Sequence, residues 1–299
     1  MPFVGELSAL LTAALWSCGA LVFTAATKRV GPVQVNVSRL IIATVLLGLV
    51  IAFFGLDMRL SSSQILNLTI SGIVGLSLGD SFLFRAFHEI GARISMLIMS
   101  IAPAIAALLA YLMLGEDLSL VGIVGMAVTL LGIGIVVFEQ NADGASALKL
   151  TRAGLMLAFL ASVGQGTGLV FAKLAFREGE VHGFVAAAVR IVASLVVLVP
   201  VTLLNGRYRN PVRVFSADPK ALGLIALGAV FGPFLGISFS LIAVKFAKVG
   251  IAATIMALVP ILMLPLVHYI NKERLSWKAI AGAFIAVGGV ALLFMTRPL

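Results

Sequence analysis

The chain has 299 residues, of which 61% are hydrophobic and 11% charged, and its mean hydropathy is +1.17. Soluble domains are nearer half apolar and a quarter charged, so this composition excludes an ordinary soluble domain and makes lipid the solvent. The net charge of +9 does not mark a nucleic-acid binder, because Lys and Arg lie in short gaps between apolar runs, where they meet anionic headgroups and set orientation.

Runs of about 20 residues, long enough to cross a hydrocarbon core, fall at 5–27, 33–54, 67–87, 93–114 and 119–138. A second set falls at 153–175, 183–204, 220–243, 249–270 and 276–296. The first run follows residues 1–6 without a basic cluster or a small-residue cleavage site, so it is read as a retained helix and not a signal peptide. Cys18, the single cysteine, lies inside that run, which excludes an intramolecular disulfide and a Cys-based metal site. The longest gaps, 139–152 and 205–219, are too short to hold a domain of their own. The expected fold class is therefore an all-α integral membrane protein of ten transmembrane helices, five per half, around a central cavity. Its first repeat spans 1–138, its connecting loop 139–152 and its second repeat 153–299.

The halves are copies. At a shift of 157 (260 − 103), Gly75 falls on Gly232, Gly79 on Gly236, Ser81-Phe82 on Ser238-Phe239, Met99 on Met256 and Pro103 on Pro260. Glu116 falls on Glu273, Leu118-Ser119 on Leu275-Ser276, Gly125 on Gly282 and Gly132 on Gly289. An odd number of helices per copy makes the copies cross the membrane in opposite senses, an inverted repeat with a site expected near the midplane between them. Twelve Lys and Arg flank the odd-numbered gaps against six on the other side, which puts the odd gaps in the cytoplasm and both termini outside. The expected location is the cell inner (cytoplasmic) membrane.

Several residues are candidates for chemistry. Gly75 and Gly79, and their counterparts Gly232 and Gly236, form small-residue stripes that favour close helix packing over direct ligand contact. Pro103 and Pro260 lie in mid-run, each preceded by methionine (Met99, Met256), and are read as hinges or cavity walls; the methionines suit varied apolar groups. The first and sixth runs are interrupted at Trp16-Ser17-Cys18-Gly19 and Gly164-Gln165-Gly166-Thr167-Gly168, and the following Leu21-Val22-Phe23 and Leu169-Val170-Phe171 match at a shift of 148 (169 − 21). Interrupted helices at corresponding places point to a transport site, so Trp16, Ser17 and Gln165 are candidate contacts.

The ionisable residues within the runs are Arg39, Asp80, Arg85 and Arg190, functional candidates by default. Asp80 is expected to pair with Arg39 or Arg85. Arg39 and Arg190 occupy equivalent places near opposite faces, and a guanidinium at each mouth suits a carboxylate-bearing substrate. His88, His182 and His268 show no metal-ligand spacing, and no metal or cofactor is expected. The sequons at Asn36 and Asn67 lie at or inside apolar runs and are discounted. Expected partners are a small-molecule substrate and the bilayer, with no nucleic acid, in a monomer or homodimer.

Leu15-Trp16-Ser17, an arginine early in the second and seventh runs, and the repeated Pro…Glu-x-Leu-Ser block (Pro103…Glu116-Asp117-Leu118-Ser119 and Pro260…Glu273-Arg274-Leu275-Ser276) carry a resemblance over the whole chain. The chain resembles EamA-type members of the drug/metabolite transporter superfamily. The resemblance implies a basket of helices that moves small metabolites, in several cases amino acids on export, by alternating access, with peripheral fifth and tenth helices suited to packing or dimer contacts. Two rivals stay open. A proton-coupled multidrug antiporter resembling the four-helix small multidrug resistance proteins would carry a mid-helix glutamate where this chain has Trp16, although Asp80 offers a proton site. An intramembrane enzyme would need a second mid-helix aspartate, Gly-x-Ser-Gly or His-Glu-x-x-His, and the sequence has none of these.

Overall fold

The computed structural model describes residues 3–139, 151–271 and 276–295. The connecting loop expected at 139–152 lies outside them but for its ends, as do residues 272–275 of the second Glu-x-Leu-Ser block and the side chains of His88 and His268. Among the described residues all regular structure is helical, and nine helices are long and apolar enough to cross a membrane.

The first half holds α1 (Val4–Val30), α2 (Pro32–Phe54), α3 (Ser62–Gly72), a π-helical segment (Ile73–Gly79), α4 (Asp80–Met99), α5 (Ala102–Leu114) and α6 (Leu120–Glu139). The second holds α7 (Arg152–Arg177), α8 (Gly183–Leu204), a short surface helix α9 (Pro211–Ala217), α10 (Pro219–Ala229) and a second π segment (Val230–Gly236). It ends with α11 (Ile237–Phe246), α12 (Val249–Met256), α13 (Val259–Asn271) and α14 (Trp277–Phe294).

Local chemistry explains the starts. Ser61 and Gln64 form a reciprocal capping box at α3, with the Gln64 N–H donating to the Ser61 hydroxyl at 3.1 Å and the Ser61 N–H to Gln64 Oε1 at 2.9 Å. Pro32 and Pro219 open α2 and α10 at the helix start, where a missing N–H costs nothing.

In four places the structure differs from the expectation. The interruptions expected at Trp16–Gly19 and Gly164–Gly168 do not form, because α1 and α7 run unbroken through them; a glycine such as Gly164 serves close packing instead, since a Cβ there would lie 3.1 Å from the Gly79 Cα. The third and fourth runs are not separated near residue 90, because Asp80–Met99 is one continuous helix. The stretch His88-Glu89-Ile90-Gly91-Ala92-Arg93 has no proline, and one glycine does not stop a helix. At the matching place in the second half Ala247 is extended and ends α11. The two prolines are not in mid-helix either. Each is the second residue of a new helix after a full break: α4 ends at Met99 and α5 starts at Ala102, while α12 ends at Met256 and α13 starts at Val259. The breaks coincide at the shift of 157 (256 − 99 and 259 − 102).

The glycine stripes do not lie on regular α-helix. They fall in the two π segments, again 157 apart at both ends (230 − 73 and 236 − 79). A π turn brings a residue near the carbonyl five back. A Cβ on Gly79 would lie 3.2 Å from the Val74 oxygen, and one on Gly236 only 2.7 Å from the Phe231 oxygen. Glycine is what lets both turns widen.

Packing crosses between the halves. α1 lies against α10, α11 and the second π segment, and α7 against α3, α4 and the first; α2 packs on α8. The most extensive helix pair is α6 with α14, where glycine meets backbone. A Cβ on Gly125 would lie 3.0 Å from the Gly289 oxygen, and one on Gly282 3.0 Å from the Gly132 oxygen. The fifth and tenth runs thus pack on each other within one chain.

Candidate functional site

The helix breaks, the π segments and the inner faces of α1, α2, α7 and α8 enclose a cavity of about 320 Å³, within the size range of small-molecule sites. Trp16, Arg39, Asp80, Met99, Gln165, Arg190 and Met256 all line it, as do Pro103, Pro260 and Gly232. Ser17, Gly75, Gly79 and Gly236 do not, but each seats a residue or element that does.

The buried Ser17 hydroxyl donates to the Ala13 carbonyl at 2.6 Å and the Val259 carbonyl at 3.1 Å, tying α1 to the start of α13 beside Pro260. Gly236 receives the indole edge of Trp16, and Gly228 and Gly232 receive the ring of Phe23. In the first half the stripe seats α8: a Cβ on Gly72 would run into the Arg190 backbone, and one on Gly75 would lie 3.2 Å from Arg190 Nη2. The stripes set how deep Trp16, Phe23 and Arg190 reach.

The charges converge at one place. Arg39 Nη2 pairs with Asp80 Oδ2 at 2.6 Å, and Arg39 Nε donates to Asn36 Oδ1 at 3.0 Å. The guanidinium also stands 5.3 Å from the centre of the Phe23 ring, a cation–π distance. Asp80 Oδ1 accepts from Gln165 Nε2 at 3.2 Å. Arg190 is 3% exposed and its Nε has no hydrogen-bond partner among the described residues. Arg39 and Arg190, read from sequence as guarding opposite mouths, face the same cavity. Arg85 is exposed, and the partner of Asp80 is Arg39.

Sequence reasoning passed over Phe23, Leu76, Ile133, Pro233 and Ser240, which also line the cavity. Phe23 was within reach, since it closes the Leu-Val-Phe match that follows the expected interruptions, although α1 and α7 are continuous there. His182 caps α8, its Nδ1 accepting the Phe184 N–H at 3.4 Å. Among the described residues no group of three or more His, Cys, Asp or Glu comes together to hold a metal.

The Glu-x-Leu-Ser block serves a different place. Gly115 turns the chain at φ 61°, left-handed, after α5. Glu116 then points inward and accepts the Val249 N–H at 2.7 Å, at the start of α12. Lys173 and Arg177 of α7 each stand 3.8 Å from its other oxygen. Lys173 also donates to the carbonyls of Val244 (2.6 Å), Lys245 (3.1 Å) and Ala247 (3.0 Å) at the end of α11. Glu116 is therefore a tie between the halves, away from the cavity.

The comparisons agree with this architecture. A solved crystal structure aligns with TM-score 0.80 at 20% identity, covering 98% of this chain and 97% of that one, a likeness of fold alone. An uncharacterized transporter of Archaeoglobus fulgidus is 23% identical over 288 residues, 95% of this chain and 96% of that protein. The profile of the EamA-like transporter family matches residues 3–138 and 152–295. With both five-run halves matched, the chain belongs to the EamA-like transporter family and is a membrane transporter of small molecules.

Proposed function

We propose that the protein is a secondary transporter of the inner membrane that exports small metabolites, amino acids and closely related molecules foremost, by alternating access. In this reading the halves are inverted five-helix repeats that rock about the central cavity, with both termini outside the cytoplasm. The observation that carries it is the matched construction of the cavity wall: both helix breaks and both π segments recur at one shift, so the two halves offer equivalent movable parts. Broken helices at corresponding places are how transporters expose backbone to a substrate at mid-depth. Trp16, Met99, Met256 and Leu169 give the cavity apolar lining, while Arg39, Asp80, Gln165 and Arg190 give it polar groups.

The test is counterflow of labelled amino acids and related compounds in proteoliposomes at matched pH, without an ion gradient. Saturable exchange by members of the panel is the expected result. Silence across that panel, with sugar phosphates and drugs also silent, sinks the reading. A second reading, proton-coupled drug efflux, is favoured by one observation: among the described residues Asp80 is the carboxylate lining the cavity. It predicts drug flux driven by a pH gradient and lost in Asp80→Asn.

A further inference from the structure

The charged residues among the described cavity lining are Arg39, Asp80 and Arg190, two cations and one anion. Asp80 is committed at both oxygens, Oδ2 to Arg39 and Oδ1 to Gln165. Arg39 is committed in turn to Asp80 and Asn36. Arg190 is different: no ion pair with Asp80 forms, it is 97% buried, and its Nε lacks an acceptor. Gly75 and the backbone contact with Gly72 hold it against the cavity wall. A buried donor on a full charge is costly to leave unmatched.

Taking the cavity as the transport site proposed above, we infer that its preferred cargo is a carboxylate of net charge −1 whose carboxylate docks on Arg190. The chemical class is an amino-acid skeleton whose ammonium is absent or blocked, such as an α-keto acid or an N-acyl amino acid with an apolar side chain. Charge balance carries the argument. A monoanion neutralises the single excess cation, and a planar carboxylate matches the guanidinium fork. A zwitterion supplies the same carboxylate but adds an ammonium with no unoccupied carboxylate to meet. The backbone at the two helix breaks, beside Met99 and Met256, offers dipoles, which do not offset that charge. The apolar walls receive the side chain, and Trp16 reports on it.

The experiment uses the full chain carrying Trp277→Phe, so that Trp16 is the one tryptophan, and follows its fluorescence during titration. Trp277 is exposed and is not among the residues that line the cavity. The ligands are leucine, α-ketoisocaproate, N-acetyl-leucine and leucinamide. The expected order puts either acid about tenfold or more tighter than leucine, with leucinamide weakest. Arg190→Gln is expected to erase the advantage of the acids over leucine, and Arg190→Lys to restore part of it. Leucine binding as tightly as the acids, or an advantage that survives Arg190→Gln, overturns the inference. Counterflow separates the two claims. Exchange of leucine or of uncharged compounds in preference to the acids leaves a transporter and removes the anion preference. Absence of exchange by every compound removes the transport reading itself.

Discussion

The carboxylate of Glu116, in the first half, accepts the backbone N–H of Val249, in the second, at 2.7 Å. The bond caps α12 with a negative charge, the sign that a helix start favours, and it ties the end of α5 to the α11–α12 turn. Glu116→Ala leaves that buried N–H unsatisfied and is expected to cost about 1–3 kcal/mol. Glu116→Gln keeps an acceptor and loses only the attraction to Lys173 and Arg177, so it should cost less. The midpoint of thermal unfolding of the purified protein checks the ranking Ala below Gln below wild type.

Arg39 and Asp80 form a mostly buried pair. Asp80→Asn strands the Arg39 guanidinium, and Arg39→Gln strands the Asp80 carboxylate. Removing one member of such a pair costs about 3 kcal/mol or more, whereas removing both costs less than the two single losses together. A double-mutant cycle on thermal unfolding should therefore show coupling. Additive losses would mean that the pair contributes nothing to the fold.

Gly236 should not tolerate a methyl group. A Cβ there meets the Trp16 indole and lies 2.7 Å from the Phe231 oxygen, so Gly236→Ala must displace Trp16 or narrow the π turn. Overpacking of this kind costs about 1–3 kcal/mol, and counterflow should fall with it. Gly48 and Gly223 have open space around them, and Ala at either is expected to leave transport unchanged and to raise stability slightly. Equal effects at Gly236 and Gly48 would remove the case for the π segments as seats.

Asp218 predicts a pH dependence outside the membrane-spanning segments. The hydrogen bond from the Arg29 guanidinium, at 2.7 Å, holds the Asp218 carboxyl below its usual range. A depressed carboxyl contributes stability above its ordinary value of about 4 and loses it as pH falls through the lower folded value. Asp218→Asn keeps the cap on Ala221 but not the charge. The gap in unfolding midpoint between wild type and this variant should be constant from neutral pH to about 5 and close below about 4. A gap that persists in acid would assign the effect to the cap.

Much of the architecture was readable because membranes make it so. Apolar runs of spanning length report helices directly, since a spanning segment must satisfy its own backbone groups. The duplication placed Gly75 on Gly232, Pro103 on Pro260 and Arg39 at a place equivalent to that of Arg190 without reference to structure. Residue chemistry then named Arg39, Asp80, Gln165 and Arg190 among the cavity-lining side chains, because charges and amides are expensive in lipid unless they have a purpose, while the repeated patterns pointed to Trp16, Met99 and Met256.

Other features depended on distance. Whether a proline kinks a helix or opens a new one is decided by what packs on the freed backbone, so Met99–Pro103 and Met256–Pro260 read as kinks and proved to be breaks. A glycine stripe looks the same in α- and π-helix, and only the nearness of the Val74 and Phe231 carbonyls distinguishes them. Which arginine Asp80 takes, and that Arg190 is left with an unmatched donor in the same cavity, follows from how α2, α4, α7 and α8 cross. The sequence by itself determined the solvent, the duplication and the residues too costly to be idle. Tertiary packing alone decided which of them meet, because ion pairs and cavities form between helices whose crossing no single run encodes.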